Sequence, residues 1–133
     1  MYNYSKALCE KNAASEGAGK QCGFVHGDAN KLDFPDGSFD AVISNYVYHN
    51  IMGADKHALL LESLRVLKKG GVFVLHDNMK PQMYGDMNAF VEELRDMGFA
   101  EVQYVETAEK IFGSKQRAAM MMLGNSAMIV GRK

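Results

Sequence analysis

The chain has few cysteines and no regular histidine spacing. Its 133 residues include two cysteines, Cys9 and Cys22, without a second cysteine pair or a histidine pair at zinc-binding spacing. We therefore expect both to be thiols in a reducing compartment, packed as small hydrophobic residues. The four histidines show no regular spacing with carboxylates, and so no metal site is predicted.

An excess of one charge and a long apolar run are also missing. A net charge of -1 and an isoelectric point near 6.4 provide no basic stripe, so a nucleic-acid partner is not expected. No apolar run approaches the roughly 20 residues of a membrane span, and the first residues lack the apolar segment of a signal peptide. The composition, 47% hydrophobic and 23% charged, predicts a single cytoplasmic domain over residues 1–133 that does not bind membranes.

Helical patterns and short apolar runs alternate along the chain. We predict helices over Tyr4–Glu16, Asp55–Lys69 and from Asp86 to Gly98, and strands over Gln21–Gly27, Phe39–Asn45, Val72–Leu75, Glu101–Glu106 and Ala127–Gly131. The stretch from 107 to 125 has no clear periodicity. This order favours right-handed crossovers in an α/β, Rossmann-like architecture with a mostly parallel sheet of about five strands.

Two apolar patterns indicate parts of the core. The nearly continuous apolar run of Phe39–Asn45 is typical of a strand buried on both faces. The helix after Asp86 carries an apolar stripe of Met87, Phe90, Val91, Leu94 and Met97.

A glycine cluster at Gly17 and Gly19 superficially resembles a nucleotide-binding loop. Such loops connect a strand to a following helix, whereas here a predicted helix precedes the glycines and a predicted strand follows them. We therefore interpret the cluster as the end of a helix.

Polar residues follow two of the predicted strands, where ligands bind in open α/β sheets. Asp28 and Ala29 follow the first strand, and Asn45 and Tyr46 end the second. A carboxylate and the next backbone N–H could pair with the amine and ring nitrogen of an adenine edge. The alternative is an Asx-turn in which Asp28 satisfies local backbone donors, and the two roles are compatible.

Three motifs follow one another along the chain: Gly27-Asp28-Ala29, then Leu32-x-Phe34-x-Asp36-Gly37-Ser38-Phe39-Asp40-x-Val42, and Arg65-Val66-Leu67-Lys68-Lys69-Gly70-Gly71. Together they resemble motifs of class I S-adenosylmethionine-dependent methyltransferases, with Lys69 where a proline is usual. The resemblance implies S-adenosylmethionine as cofactor, an adenine contact at Asp28 and Ala29, and contacts with the methionine portion at Asn45 and Tyr46. It also implies that the last strand is antiparallel to its neighbour.

The acceptor side of such a site would be formed by residues on the loop after Tyr46 and by residues at the end of the next strand. Tyr48 and His49 lie on the loop after Tyr46, and His76 and Asp77 end the Val72–Leu75 run. His49 is the candidate general base, although no orienting carboxylate is identifiable from the sequence. The alternative is a structural role for His49, in which alignment of the reactants supplies most of the catalysis. Of the two, we expect the alternative, so that replacing His49 has little effect. Asp77 has a turn-capping alternative.

The ten methionines also allow two interpretations. Met79, Met83 and Met87 lie around one predicted loop and helix start, and Met120, Met121 and Met122 lie in the unpatterned stretch. Adaptable core packing is one interpretation, and a flexible lid over an apolar acceptor is the other.

The resembled domain begins with a strand, a glycine-rich loop, a helix and a second strand, and no counterpart of these is recognisable here. We therefore expect the C-terminal part of a methyltransferase domain, from a truncated gene product or one half of a split enzyme. The predicted function is methyl transfer to a small-molecule acceptor. The alternative is a non-catalytic accessory or interaction module without an intact cofactor site.

The lack of a counterpart to these first elements also affects how the chain is expected to assemble. The Gln21–Gly27 strand would lack its neighbour, and it would either move inward to pair with Phe39–Asn45 or be covered by another chain. We expect a homodimer formed through the N-terminal helix or the Gln21–Gly27 edge, or a partner chain that covers the missing strands.

Overall fold

The computed structural model describes residues 5–133, in which four strands form one sheet flanked by helices; the predicted helix start at Tyr4 lies outside this range. The strands are β1 (Phe39–Asn45), β2 (Leu67–Asn78), β3 (Ala100–Glu106) and β4 (Ser126–Arg132). The helices are α1 (Lys6–Ser15), α2 (Lys56–Arg65), α3 (Pro81–Tyr84), α4 (Met87–Asp96), α5 (Ala108–Phe112) and α6 (Lys115–Met120), with a 3-10 turn at Tyr48–Asn50.

The strand order is β1-β2-β4-β3. β1 is parallel to β2, and β4 is antiparallel to both β2 and β3. β1, β2 and β3 therefore run in one direction, which confirms the Rossmann-like α/β fold with an antiparallel last strand. Their carboxyl ends and the amino end of β4 lie at the same edge of the sheet, as shown by the pairing of Asn45 with His76 and of Asn78 with Ser126.

The predicted strand Gln21–Gly27 is absent, so the sheet has four strands in the described residues instead of about five. This segment has no strand partner among the described residues, and Val25 within it is 73% exposed. Within residues 5–133, β1 pairs only with β2 and forms the edge of the sheet. None of the residues of α1 is buried, and Ile43 of β1 is 78% exposed. The prediction that β1 is buried on both faces is therefore wrong.

The core lies on one face of the sheet, between the strands and helices α2 and α4. The alternation of β2 directs Phe73, Leu75 and Asp77 to this face, while Val72 and Val74 lie on the open face. The helices contribute their apolar stripes to the same cluster, which includes Leu59, Leu60, Leu64, Phe90, Val91, Leu94 and Ile129. The predicted cysteine burial is not observed, since Cys9 is half-buried and Cys22 is exposed.

Helix ends follow the predicted capping residues. Asp55 Oδ1 accepts a hydrogen bond from the N–H of Ala58 at 2.8 Å, and Asp86 Oδ1 accepts one from Asn88 at 2.9 Å. Gly98 adopts a φ of 97°, which ends the α4 segment as predicted. Gly17, with a φ of 74°, follows the end of α1, which confirms the helix-stop interpretation of the glycine cluster.

The junction between α2 and β2 differs from the prediction. α2 ends at Arg65 and β2 begins at Leu67, so the predicted helical residues Lys68 and Lys69 are part of the strand. The register shifts here between β1 and β2. A Cβ at Gly71 would lie 2.5 Å from Leu67 Cδ1 and 2.9 Å from the Asp40 carbonyl oxygen, so only glycine fits at this crossing.

The guanidinium of Arg65 connects this junction to the segment before β1. It donates to the carbonyl oxygens of Leu32 and Phe34, both at 2.9 Å, and to Asp36 Oδ1 at 2.7 Å. Glu62 accepts from Arg65 and also from the Leu32 N–H at 2.7 Å. The Arg65 guanidinium lowers the pKa of Glu62, and these carboxylates raise the pKa of Arg65. We call Arg65 and Glu62 the α2 clamp.

The α4 helix allows a matched stability test. Leu94 is fully buried, whereas Met97 is 57% exposed. The apolar stripe predicted that Met97 is in the core, but the helix ends at Asp96. We expect Leu94→Ala to lower the free energy of unfolding by about 2–5 kcal/mol. Met97→Ala should change it by less than about 0.5 kcal/mol. Urea denaturation followed by circular dichroism would measure both, and equal losses would contradict the placement of these side chains.

Candidate active site at the carboxyl edge of the sheet

The structure brings most of the predicted site residues to the carboxyl edge of the sheet. Asn45 and Tyr46 lie at the end of β1, His76 and Asp77 near the end of β2, and His49 in the 3-10 turn between β1 and α2. Thr107 after β3 and Ser126 at the start of β4 join the group, although sequence reasoning did not select them. Only the parallel strand order, with β4 reversed, brings these two residues next to the others.

Tyr46 spans this edge. Its φ of 53° is in the left-handed region, which a non-glycine residue adopts at a conformational cost, and its backbone N–H donates to the His76 carbonyl at 2.9 Å. The Tyr46 hydroxyl hydrogen-bonds Ser126 Oγ at 2.8 Å, and its ring centroid lies 4.7 Å from that of His76 and 6.3 Å from that of His49. Tyr46 therefore links the end of β1 to β2 and β4.

Both ring nitrogens of His76 are hydrogen-bonded. Nδ1 lies 2.7 Å from Asn45 Oδ1, and Nε2 lies 2.7 Å from Thr107 Oγ1. Burial lowers the pKa of His76, with the Asp77 charge acting in the opposite direction. A neutral ring satisfies this network when Nδ1–H donates to Asn45 and Nε2 accepts from Thr107. His76 therefore positions its neighbours and has no free nitrogen for a substrate.

His49 and Asp77 form a pair on the core face of the sheet. His49 Nδ1 hydrogen-bonds Asp77 Oδ1, and the His49 backbone N–H donates to Asp77 Oδ2 at 3.1 Å. The Asp77 side chain has no exposed surface, whereas the His49 side chain is 27% exposed. The orienting carboxylate that could not be identified from the sequence is thus Asp77. The adjacent residues His76 and Asp77 lie on opposite faces of β2, because strand residues alternate.

Two tyrosines lie beneath this pair. Tyr48, predicted on the acceptor side, is instead buried in the core with its hydroxyl 2.8 Å from Ser63 Oγ, because the 3-10 turn directs it inward. Burial, followed by the charge of Asp77, raises the pKa of Tyr84. The buried Tyr84 hydroxyl and Ser44 Oγ make no hydrogen bond with residues 5–133. Asp77 also accepts from the Asn78 N–H at 2.7 Å, so the turn-capping role is partly present.

The Asp28–Ala29 turn lies in the loop before β1. Asp28 Oδ1 accepts from the Asn30 backbone N–H at 2.9 Å and from Asn30 Nδ2 at 2.8 Å, which confirms the Asx-turn. These hydrogen bonds lower the pKa of Asp28. Asp28 Oδ2 and the Ala29 N–H make no hydrogen bond with other described residues. The turn therefore keeps one acceptor and one donor for a ligand.

Two cavities adjoin the edge. The larger, of about 590 Å³, lies beside Ser126 and is lined by Met79, Pro81, Tyr104, Ala108, Lys110 and Lys115 among others. The second, of about 430 Å³, lies on the open face and is lined mainly by apolar side chains, with His76 and Thr107 at its polar end. Volumes in this range suit small-molecule ligands.

Two classes of feature are not found in residues 5–133. No group of three or more histidine, cysteine, aspartate or glutamate side chains is arranged to hold a metal ion. Within the same range, none of the helices has both the length and the apolar character needed to cross a bilayer.

Comparison with known proteins shows the family of this chain. Residues 2–75 match the family described as "Methyltransferase domain". A sterol 24-C-methyltransferase of Gibberella zeae is 33% identical over 93 residues, covering 70% of this chain and 24% of that protein. A demethylmenaquinone methyltransferase of Bacillus licheniformis is 30% identical over 111 residues, covering 75% of this chain and 47% of that protein.

A solved structure shows the same fold at lower identity. The [4+2]-cyclase SpnF superposes with a TM-score of 0.67 and 19% identity, covering 96% of this chain and 62% of that protein. The fold is a Rossmann-like methyltransferase fold. The chain belongs to the class I S-adenosylmethionine-dependent methyltransferase family. It spans less than half the length of the curated relatives described above.

S-adenosylmethionine is the cofactor of this family, and the Asp28–Ala29 turn fits part of it. The free carboxylate oxygen of Asp28 and the free N–H of Ala29 have the acceptor and donor character that an adenine edge requires. Among the described residues, no glycine-rich turn joins a strand to a following helix to receive the amino-acid end. The fit is thus limited to the adenine side.

The burial of His76 predicts that the folded protein becomes less stable in acid. Because burial holds the folded pKa of His76 below its usual value near 6.5, the unfolded chain binds this proton more readily. Stability should therefore fall as the pH drops through about 6.5. His76→Gln keeps a donor and an acceptor but cannot titrate, so its melting temperature should fall less between pH 7.5 and 5.5.

The exposed His26 provides the control for this test. His26→Gln should show the same acid-induced loss as the wild type in differential scanning calorimetry. If His76→Gln lost as much as the wild type, His76 would not be the titrating group.

Proposed function

We propose that this chain acts in methyl transfer from S-adenosylmethionine to a small-molecule acceptor. The observation that carries the proposal is the convergence of His49, Asp77, Tyr46 and Ser126 at one edge of the sheet, where Ser126 also lines a cavity of about 590 Å³. The names of the relatives, a sterol and a demethylmenaquinone methyltransferase, support an acceptor of small-molecule size.

The cofactor side of the proposed site combines the Asp28–Ala29 turn with the end of β1. When bound, S-adenosylmethionine supplies a methyl group whose bond to sulfur is replaced by a bond to the acceptor, with the electrons remaining on sulfur. Asp28 and Ala29 would hold the adenine edge. Asn45 and Tyr46 would contact the methionine portion, with Asn45 oriented by His76 and Tyr46 by Ser126.

The acceptor side extends from Ser126 into the larger cavity. Its walls combine the apolar surfaces of Met79 and Tyr104 with the ammonium groups of Lys110 and Lys115. Lys115 also lies 3.2 Å from Glu106, which reduces its free charge. This mixture suits an acceptor that has an apolar body and a polar group.

A non-catalytic accessory module is the second candidate. It is favoured by the lack of a glycine-rich strand-to-helix turn in the described residues. The cyclase described above also shows that one fold can carry more than one activity. The two candidates differ in whether this chain by itself binds the cofactor.

Calorimetric titration with S-adenosylhomocysteine separates them. We expect binding in the micromolar range, which Asp28→Ala should weaken about tenfold or more because an adenine amine loses its acceptor. Asp33→Ala, in the same loop, is the matched control and should bind like the wild type. No heat at millimolar ligand would support the accessory module, and equal affinity for wild type and Asp28→Ala would reject the adenine contact.

We further propose that the chain forms a homodimer through the edge strand β1. The Gln21–Gly27 edge that sequence reasoning offered is not a strand, but β1 has one unpaired side and its Ile43 is 78% exposed. Antiparallel self-pairing centred on Val42 would place Ala41 opposite Ile43 and Asp40 opposite Ser44. No two like charges would then face each other.

Light scattering after size exclusion tests this assembly. At tens of micromolar we expect about twice the chain mass of 14.7 kDa. Ile43→Lys should give the monomer because a charge on an edge strand prevents pairing. Met120→Lys, at a side chain that is 85% exposed on α6, should leave the dimer intact. A wild-type monomer would reject the proposal.

A further inference from the structure

We propose that Asp77 is a positioning residue that holds His49 as the proton acceptor of the reaction, so that the acceptor is a small molecule whose nucleophilic atom carries a proton. This inference rests on the proposed methyl transfer. It reverses the expectation that His49 would matter little, because that expectation assumed that no carboxylate orients the ring.

His49 is attached to Asp77 at two points. Oδ1 receives the ring Nδ1 and Oδ2 receives the backbone N–H of the same residue at 3.1 Å. One carboxylate therefore fixes both the ring and the backbone of His49. A carboxylate on the protein surface could move and leave the ring free to rotate, whereas Asp77 is fully buried.

This contact also selects one tautomer of the His49 ring. An ionised carboxylate can only accept hydrogen bonds, so Nδ1 of His49 must carry the proton and Nε2 must carry the lone pair. The side chain of His49 remains 27% exposed, which leaves the ring within reach of a ligand at the sheet edge. His76 has the opposite character, since both of its nitrogens are already bonded.

The surroundings of the pair leave the Asp77 carboxylate to His49. The titratable side chains on the neighbouring elements are His76 on β2, Tyr46 and Tyr48 around the 3-10 turn, Tyr84 on α3 and Lys56 on α2. Lys56 Nζ donates to the Ile51 carbonyl, and Asp77 forms no ion pair with a lysine or arginine in the described residues. The charge of Asp77 is therefore available to His49.

These contacts define one proton transfer. The acceptor's hydroxyl, thiol or ammonium proton moves to Nε2 of His49, and the electron pair of the broken bond stays on the acceptor. The imidazolium that forms is stabilised by the adjacent Asp77 carboxylate. An acceptor without such a proton, for example a thioether, would gain nothing from this arrangement.

The tautomer is tested on the chain without cofactor or acceptor. Long-range proton–nitrogen correlation NMR on 15N-labelled protein, with His49 signals assigned by their loss in His49→Gln, should show the Nδ1–H form at neutral pH. In Asp77→Asn this preference should be lost. A wild-type ring in the Nε2–H form would overturn the inference, and this result stands even if the variant fails to fold.

Kinetics supply the second readout, with 1,4-naphthohydroquinone as a protic probe and radiolabelled S-adenosylmethionine. We expect His49→Gln and Asp77→Asn to lower kcat by about 10²–10⁴-fold with KM unchanged. S-adenosylhomocysteine affinity should stay within about twofold of wild type, which a general structural defect would not allow. Unchanged kcat in either variant would overturn the inference.

Failure of the proposed methyl transfer and failure of the positioning role of Asp77 give different results. If the wild type neither binds S-adenosylhomocysteine nor methylates the probe, the proposed function is rejected while the NMR result still decides the role of Asp77. If the wild type is active and the variants are equally active, the proposed function stands and the positioning role is rejected.

Discussion

The α2 clamp is the interaction on which the arrangement of this chain depends. Arg65 and Glu62 bind the backbone of the segment before β1 at Leu32 and Phe34. This segment leads directly into β1, and the clamp therefore limits where β1 can begin relative to β2. The register that results places Asn45 opposite His76. A slip of this register would separate His49 from Asp77, because the first follows β1 and the second ends β2.

The parts of the fold that the sequence predicts well are those with local causes. Asp55 and Asp86 satisfy the first N–H groups of their helices, and Gly98 adopts the backbone conformation that ends one, so these boundaries follow from neighbouring residues. The antiparallel β4 followed from family resemblance. The unsuccessful predictions concern non-local partners: Phe24 and Val25 have strand-like character, but the part of the chain that the structure describes offers no adjacent strand to pair with them.

The site shows the same division. The sequence identifies Asn45, His49 and Asp77 as residues near strand ends, because strand ends are visible in the apolar pattern. It does not show that His76 and Asp77 lie on opposite faces of β2. Nor does it show that His49 contacts Asp77, which lies 28 positions later in the chain. Tyr48 was misplaced because a 3-10 turn rotates each residue differently from an extended loop. Thr107 and Ser126 became site neighbours only through the reversed direction of β4.

The left-handed backbone of Tyr46 has a consequence for binding. Its hydroxyl and ring already connect β1 to β2 and β4 before any ligand arrives. The side chains at the crevice are thus preorganised, and a ligand does not need to order them when it binds. The conformational cost of the tyrosine is then met by folding, once, instead of by each binding event. Affinity at this edge should accordingly depend more on contacts with the ligand than on rearrangement of the protein.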